Sequence, residues 1–344
     1  MPHTRTALVA AILAAAGAAP DLAASQARPA PASAAVFRPS MGVLRTLVPA
    51  HAAGDLDGDG RYDIVLGAPA GSPPLVKAFS GATSAPILEY LAYAAGFTGG
   101  VRTASGDVNG DGQADVIAGA GAGGAPQVSV FSGASSVQIR SFLAFAPAFT
   151  GGVSVAAADV NGDGVADIIV GAGPGGGPQV KVFDGKTGAT LSAFFAYDAG
   201  FAGGVLVAGG DVNGDGVADV ITSPATGNSQ IKVFDGKTGQ TLGSFLAFSS
   251  GGVSGVAAGD VNGDGRIDLI VVQGGQVRVF DGKTGVSIGQ FAAFASTAGP
   301  VTVQAGDVNG DGRAEVIVTM GAGAQRQTRA LEGLSGVLIR TIGG

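Results

Sequence analysis

The chain has 344 residues, 46% of them hydrophobic, and a formal charge of -7. It therefore holds enough apolar material for a large core and lacks the basic excess that a nucleic-acid partner would require. There is no cysteine, which excludes disulfides, zinc thiolate sites, thiol catalysis and lipid attachment at a cysteine.

In chain order, residues 1–27 have the form of a secretory signal. Arg5 sits in a short basic start, Ala7 to Pro20 is apolar or small, and Ser25-Gln26-Ala27 offers small residues for cleavage. The apolar stretch is too short to span a hydrocarbon core comfortably. The expectation is export, to the medium, the cell surface or the periplasm, with no transmembrane segment left after cleavage. Residues 28–36, with Pro29 and Pro31, read as a linker, and 37–344 as one repeating domain.

That domain carries six copies of D-x-[DN]-x-D-G-x-x-[DE], at 55–63, 107–115, 159–167, 211–219, 260–268 and 307–315. Successive copies start 52, 52, 52, 49 and 47 residues apart, a period that marks one supersecondary unit repeated in space. Glycine, at 62 residues, recurs at fixed phases of this period and so marks turns.

The third unit is the clearest to read. Val153 to Ala158 is a strand of small residues, Asp159 to Asp167 the acidic loop, and Ile168 to Val170 an apolar run short enough for a buried strand. Gly171 to Pro178 is a glycine and proline loop. Gln179 to Phe183 alternates, with Val180 and Val182 on one face and Gln179 and Lys181 on the other. Asp184 to Gly188 makes a turn, and Thr190 to Tyr197 supplies a fourth strand.

Four short strands per unit is the arithmetic of a propeller blade. The predicted fold is all-β, a six-bladed β-propeller of four-stranded blades, with a seven-bladed or irregular closure as the alternative. Two segments compete for the last strand position, Gly42 to Leu47 and Gly336 to Thr341, and the sequence leaves open which of them closes the ring.

The acidic loops have the chemistry of calcium sites. Alternate residues of a tight loop point inward, so side-chain oxygens at positions 1, 3, 5 and 9 and the carbonyl at position 7 can surround one hard cation. The first loop offers Asp55, Asp57, Asp59, the carbonyl of Arg61, and Asp63. The second offers Asp107, Asn109, Asp111, the carbonyl of Gln113, and Asp115; the third Asp159, Asn161, Asp163, the carbonyl of Val165, and Asp167. The fourth has Asp211, Asn213, Asp215, the carbonyl of Val217, and Asp219. The fifth has Asp260, Asn262, Asp264, the carbonyl of Arg266, and Asp268, and the sixth Asp307, Asn309, Asp311, the carbonyl of Arg313, and Glu315.

Nineteen of the 26 acidic residues lie in these loops, so about six calcium ions (Ca2+) would more than cancel the formal charge. Glycine at position 6 permits the sharp turn. Position 12, where an EF-hand places its bidentate glutamate, holds Leu66, Ala118, Val170, Thr222, Val271 or Val318, so an EF-hand is excluded. Plain hairpin turns would need neither the acid at position 1 nor the one at position 9, and all six copies have both.

With these loops in place, the units resemble FG-GAP or VCBS-type repeats, the blades of integrin alpha subunits and of many secreted bacterial proteins. Gly67-Ala68-Pro69 matches the GAP element, and Phe97-Thr98-Gly99-Gly100 and its copies stand where the family has its Phe-Gly. The resemblance covers about residues 37–344 and implies that the calcium loop joins the first and second strands of each blade. Three features depart from it: Asp57 replaces asparagine, Glu315 replaces aspartate, and six units stand where the best-known relatives have seven blades.

Other motifs resolve as structure. Gly171 to Gly176 fits G-x-G-x-x-G, but Pro178 and a strand follow, so no helix terminus awaits a phosphate. Gly-Lys-Thr at 185, 236 and 282 lacks the partner glycine of a phosphate loop and reads as a turn. His51 is the one histidine beyond His3, too little for a catalytic constellation, and the expectation is that the protein is not an enzyme. Phe97, Phe149 and Phe201 are expected between blades, and Tyr90, Tyr93 and Tyr197 in the core.

The reading is a secreted, monomeric, calcium-loaded module for adhesion or protein interaction, its partner an extracellular protein or glycan. The partner surface is placed on the loops Gly119 to Pro126 and Gly171 to Pro178 and the Phe-x-Gly-Gly segments. The alternatives are a lectin-like propeller and a secreted hydrolase or lyase.

Overall fold

The computed structural model describes residues 54–295, 299–321 and 326–342. The expected signal and linker, His51 and the segment Gly42 to Leu47 all lie outside them. Among the described residues every regular element is a strand. The first blade holds β1 (Ile64–Gly67), β2 (Leu75–Phe79) and β3 (Pro86–Leu91); the second β4 (Val101–Gly106), β5 (Asp115–Ala120), β6 (Gln127–Phe131) and β7 (Gln138–Leu143). The third holds β8 (Val153–Ala158), β9 (Asp167–Ala172), β10 (Gln179–Phe183) and β11 (Thr190–Phe195); the fourth β12 (Val205–Gly210), β13 (Asp219–Pro224), β14 (Gln230–Phe234) and β15 (Thr241–Leu246). The fifth holds β16 (Gly255–Gly259), β17 (Asp268–Gln273), β18 (Gln276–Phe280) and β19 (Ser287–Ala292), and the sixth β20 (Val301–Gly306), β21 (Glu315–Met320), β22 (Gln327–Leu331) and β23 (Leu338–Ile342).

Each blade is an antiparallel meander of consecutive strands. In the first, the bridge Gly54↔Asp63 occupies the register that Gly106↔Asp115 and Ala158↔Asp167 occupy in the next two, so it is the end of that blade's innermost strand. The question of closure is settled at the carboxyl end: β23 pairs with β22, so the terminal segment supplies the sixth blade's outer strand.

Burial falls from the axis outward. In the third blade β9 is buried at every position, β10 alternates as expected, and β11 is almost wholly exposed. The inner strands are apolar on both sides because each sheet is sandwiched between its neighbours. Every pairing of third and fourth strands carries a register shift, as at Val182/Phe183. Such a bulge strengthens the local twist.

Two strand bounds differ from the sequence reading. β9 runs on through Gly171 and Ala172, which pair with Ser154 and Val153. Gly171 is a packing residue, since a Cβ there would come within 2.5 Å of the Val205 carbonyl in the next blade. β11 stops at Phe195, opposite Gln179. Beyond it Ala196 donates to the Pro178 carbonyl at 2.9 Å, and proline has no N–H to return the bond.

Ring closure is visible in two independent sets of contacts. Six apolar clusters each combine residues of two adjacent blades, the last joining Ile64 and Leu66 of the first blade to Val308, Ile317 and Ile342 of the sixth. In addition, the N–H at position 8 of every acidic loop donates to the carbonyl at position 1 of the preceding blade's loop. Ala114, Ala166, Ala218, Ile267 and Ala314 thus bond Asp55, Asp107, Asp159, Asp211 and Asp260, and Tyr62 closes the circle on Asp307 at 3.0 Å. Arg340 reaches from the sixth blade to the Gly81 carbonyl of the first, as Arg140 does to Gly185 between the second and third.

This topology sorts the loops. The acidic loops, between first and second strands, share one face with the turns between third and fourth strands. The glycine and proline loops and the segments between blades lie on the other face.

Candidate metal centres

The acidic loops are folded by their own carboxylates. In the third, Asp159 Oδ1 accepts from the N–H groups of Gly162 at 2.7 Å and Asp163 at 3.1 Å, and Oδ2 from Gly164 at 2.8 Å. Asn161 Oδ1 then accepts from Asp163 N–H at 2.9 Å, and Asp163 Oδ1 from Val165 N–H at 3.0 Å. All six loops repeat this chain of bonds from positions 1, 3 and 5. The path needs left-handed backbone at position 4 as well as position 6, at φ 76 and 84 for Gly162 and Gly164. The sequence reading assigned a reason to the second of these glycines and passed over the first.

Position 9 is buried. Asp63, Asp115, Asp167, Asp219, Asp268 and Glu315 are each no more than 1% exposed. Asp167 Oδ2 accepts from Val160 N–H at 2.9 Å and Asn161 N–H at 3.2 Å, and Oδ1 accepts from Gly185 N–H at 3.0 Å. The last donor sits on the turn between third and fourth strands, so this carboxylate ties the acidic loop to a second loop. A Cβ on Gly185 would come within 2.1 Å of the Ala166 carbonyl, which is why glycine stands there. Glu315 accepts from Val308 and Asn309 N–H at 2.9 and 3.3 Å.

Burial pushes these carboxyls up, to about 6 for Asp63, Asp115, Asp167 and Asp219 and to about 7 for Asp268 and Glu315. The backbone donors pull the other way and do not win. Asp57 is also raised, by burial first and by its neighbours Asp59 and Asp55. The ionised position-9 acid therefore lacks a counter-charge.

The first loop brings single oxygens of Asp55, Asp57 and Asp63 within 4.8 Å of one another. Oxygens bound to calcium at about 2.3–2.6 Å stand across the ion by about twice that length, so the spacing and the all-oxygen donor set fit one such ion. In the other five loops asparagine replaces the aspartate at position 3. Its carbonyl oxygen keeps the same place in the loop, and its Nδ2 donates to the acid at position 9, at 3.1, 3.3, 3.3, 3.3 and 2.8 Å in chain order. Asparagine thus holds two oxygen ligands side by side with one charge fewer. In the third loop Lys186 Nζ also lies 3.2 Å from Asp163 Oδ2.

Phe97, Phe149, Phe201, Tyr90, Tyr93 and Tyr197 take the places expected of them, although none is fully buried. Tyr93, Tyr90 and Tyr197 pack on the apolar clusters, half-buried, and the hydroxyls of Tyr93 and Tyr197 bond carbonyls of the next blade. Phe97, Phe149 and Phe201 are also half-buried. They stand edge-on to Tyr93, Phe145 and Tyr197 with centroids 5.5, 5.9 and 5.8 Å apart, and so cap the seams between blades.

Fold and loops together define a β-propeller whose blades each carry an acidic loop between the first and second strands. Residues 107–170, 211–271 and 260–318 match the FG-GAP-like repeat, together half of the chain, and 51–85 and 151–190 match the FG-GAP repeat. The chain belongs to the FG-GAP repeat family. No curated protein matches it.

Among solved structures it is similar to the rhamnogalacturonan lyase YesW, with 15% identity, TM-score 0.42, and coverage of 79% of this chain and 70% of that one. It is also similar to BBS1N, solved in complex with ARL6DN, with 12% identity, TM-score 0.47, and coverage of 86% and 80%. No helix among the described residues is long and apolar enough to cross a membrane.

Proposed function

We propose that the protein is an exported, calcium-loaded propeller that works as a rigid interaction module and not as an enzyme. The observation that carries this is the repetition of one hydrogen-bonded acidic loop in all six blades of a closed ring. Each would hold an ion through positions 1, 3, 5 and 9 and the carbonyl at position 7. A calcium ion there supplies the counter-charge that the buried position-9 acid lacks, and it links the first two strands of a blade to the turn beyond Asp184 or its equivalent. An ion in each blade stiffens the platform, and the opposite face, with its glycine and proline loops, is left to meet a partner. The signal-like pattern of residues 1–27 supports export, to surroundings where calcium is at millimolar level.

The test is capture of extracellular proteins on the immobilised chain, run beside a glycan array, each in calcium and in chelator. The expected result is saturable protein binding that chelator abolishes. Calcium-dependent binding confined to glycans would replace the reading with a lectin, and turnover of a polysaccharide would replace it with an enzyme.

A further inference from the structure

We propose that the axial cavity on the face opposite the acidic loops receives a carboxylate carried by a protein partner, seated between Arg102 and Arg326. The inference rests on the interaction-module reading and names the chemistry of the partner.

The cavity has a volume of about 590 Å³ and narrows along the axis to a further space of about 90 Å³; both arginines line both parts. Each arginine breaks the repeat. Arg102 is the second residue of β4, where the same register in other blades holds Ser154, Leu206, Gly255 and Thr302. Arg326 directly precedes β22, where the other blades have Pro74, Pro126, Pro178, Ser229 and Gly275. Two independent departures from a six-fold pattern thus deliver cations to one space.

Neither guanidinium has a hydrogen bond or ion pair among the described residues. By contrast Arg140, Arg266, Arg278, Arg329 and Arg340 each donate to a backbone carbonyl. Among the described residues no acidic side chain lines the cavity. Arg102 is exposed at the mouth of the cavity and Arg326 is half-buried. For both arginines burial lowers the pKa and no partner opposes it. Two cations lining one cavity without counter-charge are a receptor for an anion, and guanidinium favours the planar carboxylate through paired donors.

The walls select the kind of anion. They are glycine, alanine, proline, valine and leucine, with serine and threonine hydroxyls, and no aromatic ring. Such walls suit the aliphatic neighbours of a peptide carboxylate and offer a sugar ring nothing to stack on. Deeper in, Gln304 donates to the Val65 carbonyl and leaves its buried Oε1 without a partner, an acceptor that a peptide N–H would satisfy. The carboxylate can belong to a chain terminus or to an acidic side chain.

The experiment measures binding of labelled peptides to the full, calcium-saturated chain by fluorescence anisotropy. One peptide has a free carboxyl terminus and neutral side chains, a second is amidated with one internal glutamate, and a third is amidated and neutral; oligogalacturonate is the non-peptide carboxylate. Binding of the first or second peptide is expected and identifies the source, while the third stays unbound. Arg102→Gln and Arg326→Gln should each weaken binding about tenfold or more. Because neither guanidinium has a partner to lose among the described residues, both variants should melt in calcium no lower than the parent, which separates lost binding from lost folding.

Peptide binding that survives both substitutions, absence of binding by either carboxylate peptide, or arginine-dependent binding of oligogalacturonate alone would overturn the proposal. These failures leave the interaction-module reading standing if capture in calcium persists. Loss of capture itself is what defeats that reading.

Discussion

Removing calcium from the purified protein is expected to lower its melting temperature by about 15 °C or more. An extracellular site with a dissociation constant near 0.1 mM contributes about 1.4 kcal/mol at roughly 1 mM calcium, so six independent sites contribute about 8 kcal/mol. That is comparable to the whole stability of an ordinary domain, about 5–15 kcal/mol. The ring enlarges the effect, because the N–H of position 8 in each loop is bonded to position 1 of the loop before it. A loop that loosens without its ion therefore loosens its neighbour. Differential scanning calorimetry in calcium and in excess chelator measures the shift, and a melt indifferent to chelator would contradict the structural role given to the ions.

Asp167→Ala should destabilise the protein in chelator as well as in calcium, whereas Asp163→Ala should act almost wholly through calcium. Both are proposed ligands of one site, but they sit in different surroundings. Asp167 is 1% exposed and accepts from Val160, Asn161 and Gly185 N–H groups. Leaving buried donors unpaired costs about 1–3 kcal/mol each, so the loss is about 3 kcal/mol or more. Part of this is offset, since burial already disfavours the ionised carboxylate and raises it to about 6.

Asp163 accepts from Val165 N–H and pairs with Lys186 at the surface. Such a pair contributes about 0–1 kcal/mol, so without calcium its removal is close to neutral. With calcium, losing one site costs about 1.4 kcal/mol under the same assumptions. Thermal melts of the two variants in both conditions give four values. An Asp167→Ala melt in chelator no lower than the parent's would show that position 9 has no structural role of its own.

Much of this was legible in the sequence because the signals repeat. Six copies of the acidic pattern set the blade count, and the alternation of Gln179 to Phe183 survives unchanged as β10. Family membership also followed from residues read in order.

The parts that escaped depend on what a residue meets across the ring. Gly171 reads as a loop glycine until the Val205 carbonyl is seen against it. The acid at position 9 reads as one more ligand, although its burial and its bond to a distant turn make it a structural tie. The closing strand was undecidable because both terminal segments share one pattern, and pairing of β23 with β22 decides it. Arg102 and Arg326 stand far apart in sequence and outside every motif. Aligning the repeats would have marked them as the residues that do not conform.

The most direct measurement is calcium anomalous density in crystals grown at millimolar calcium. The account predicts six peaks, one in each acidic loop, with side-chain oxygens of positions 1, 3, 5 and 9 and the position-7 carbonyl at about 2.3–2.6 Å. Loops that hold only water under those conditions would contradict it.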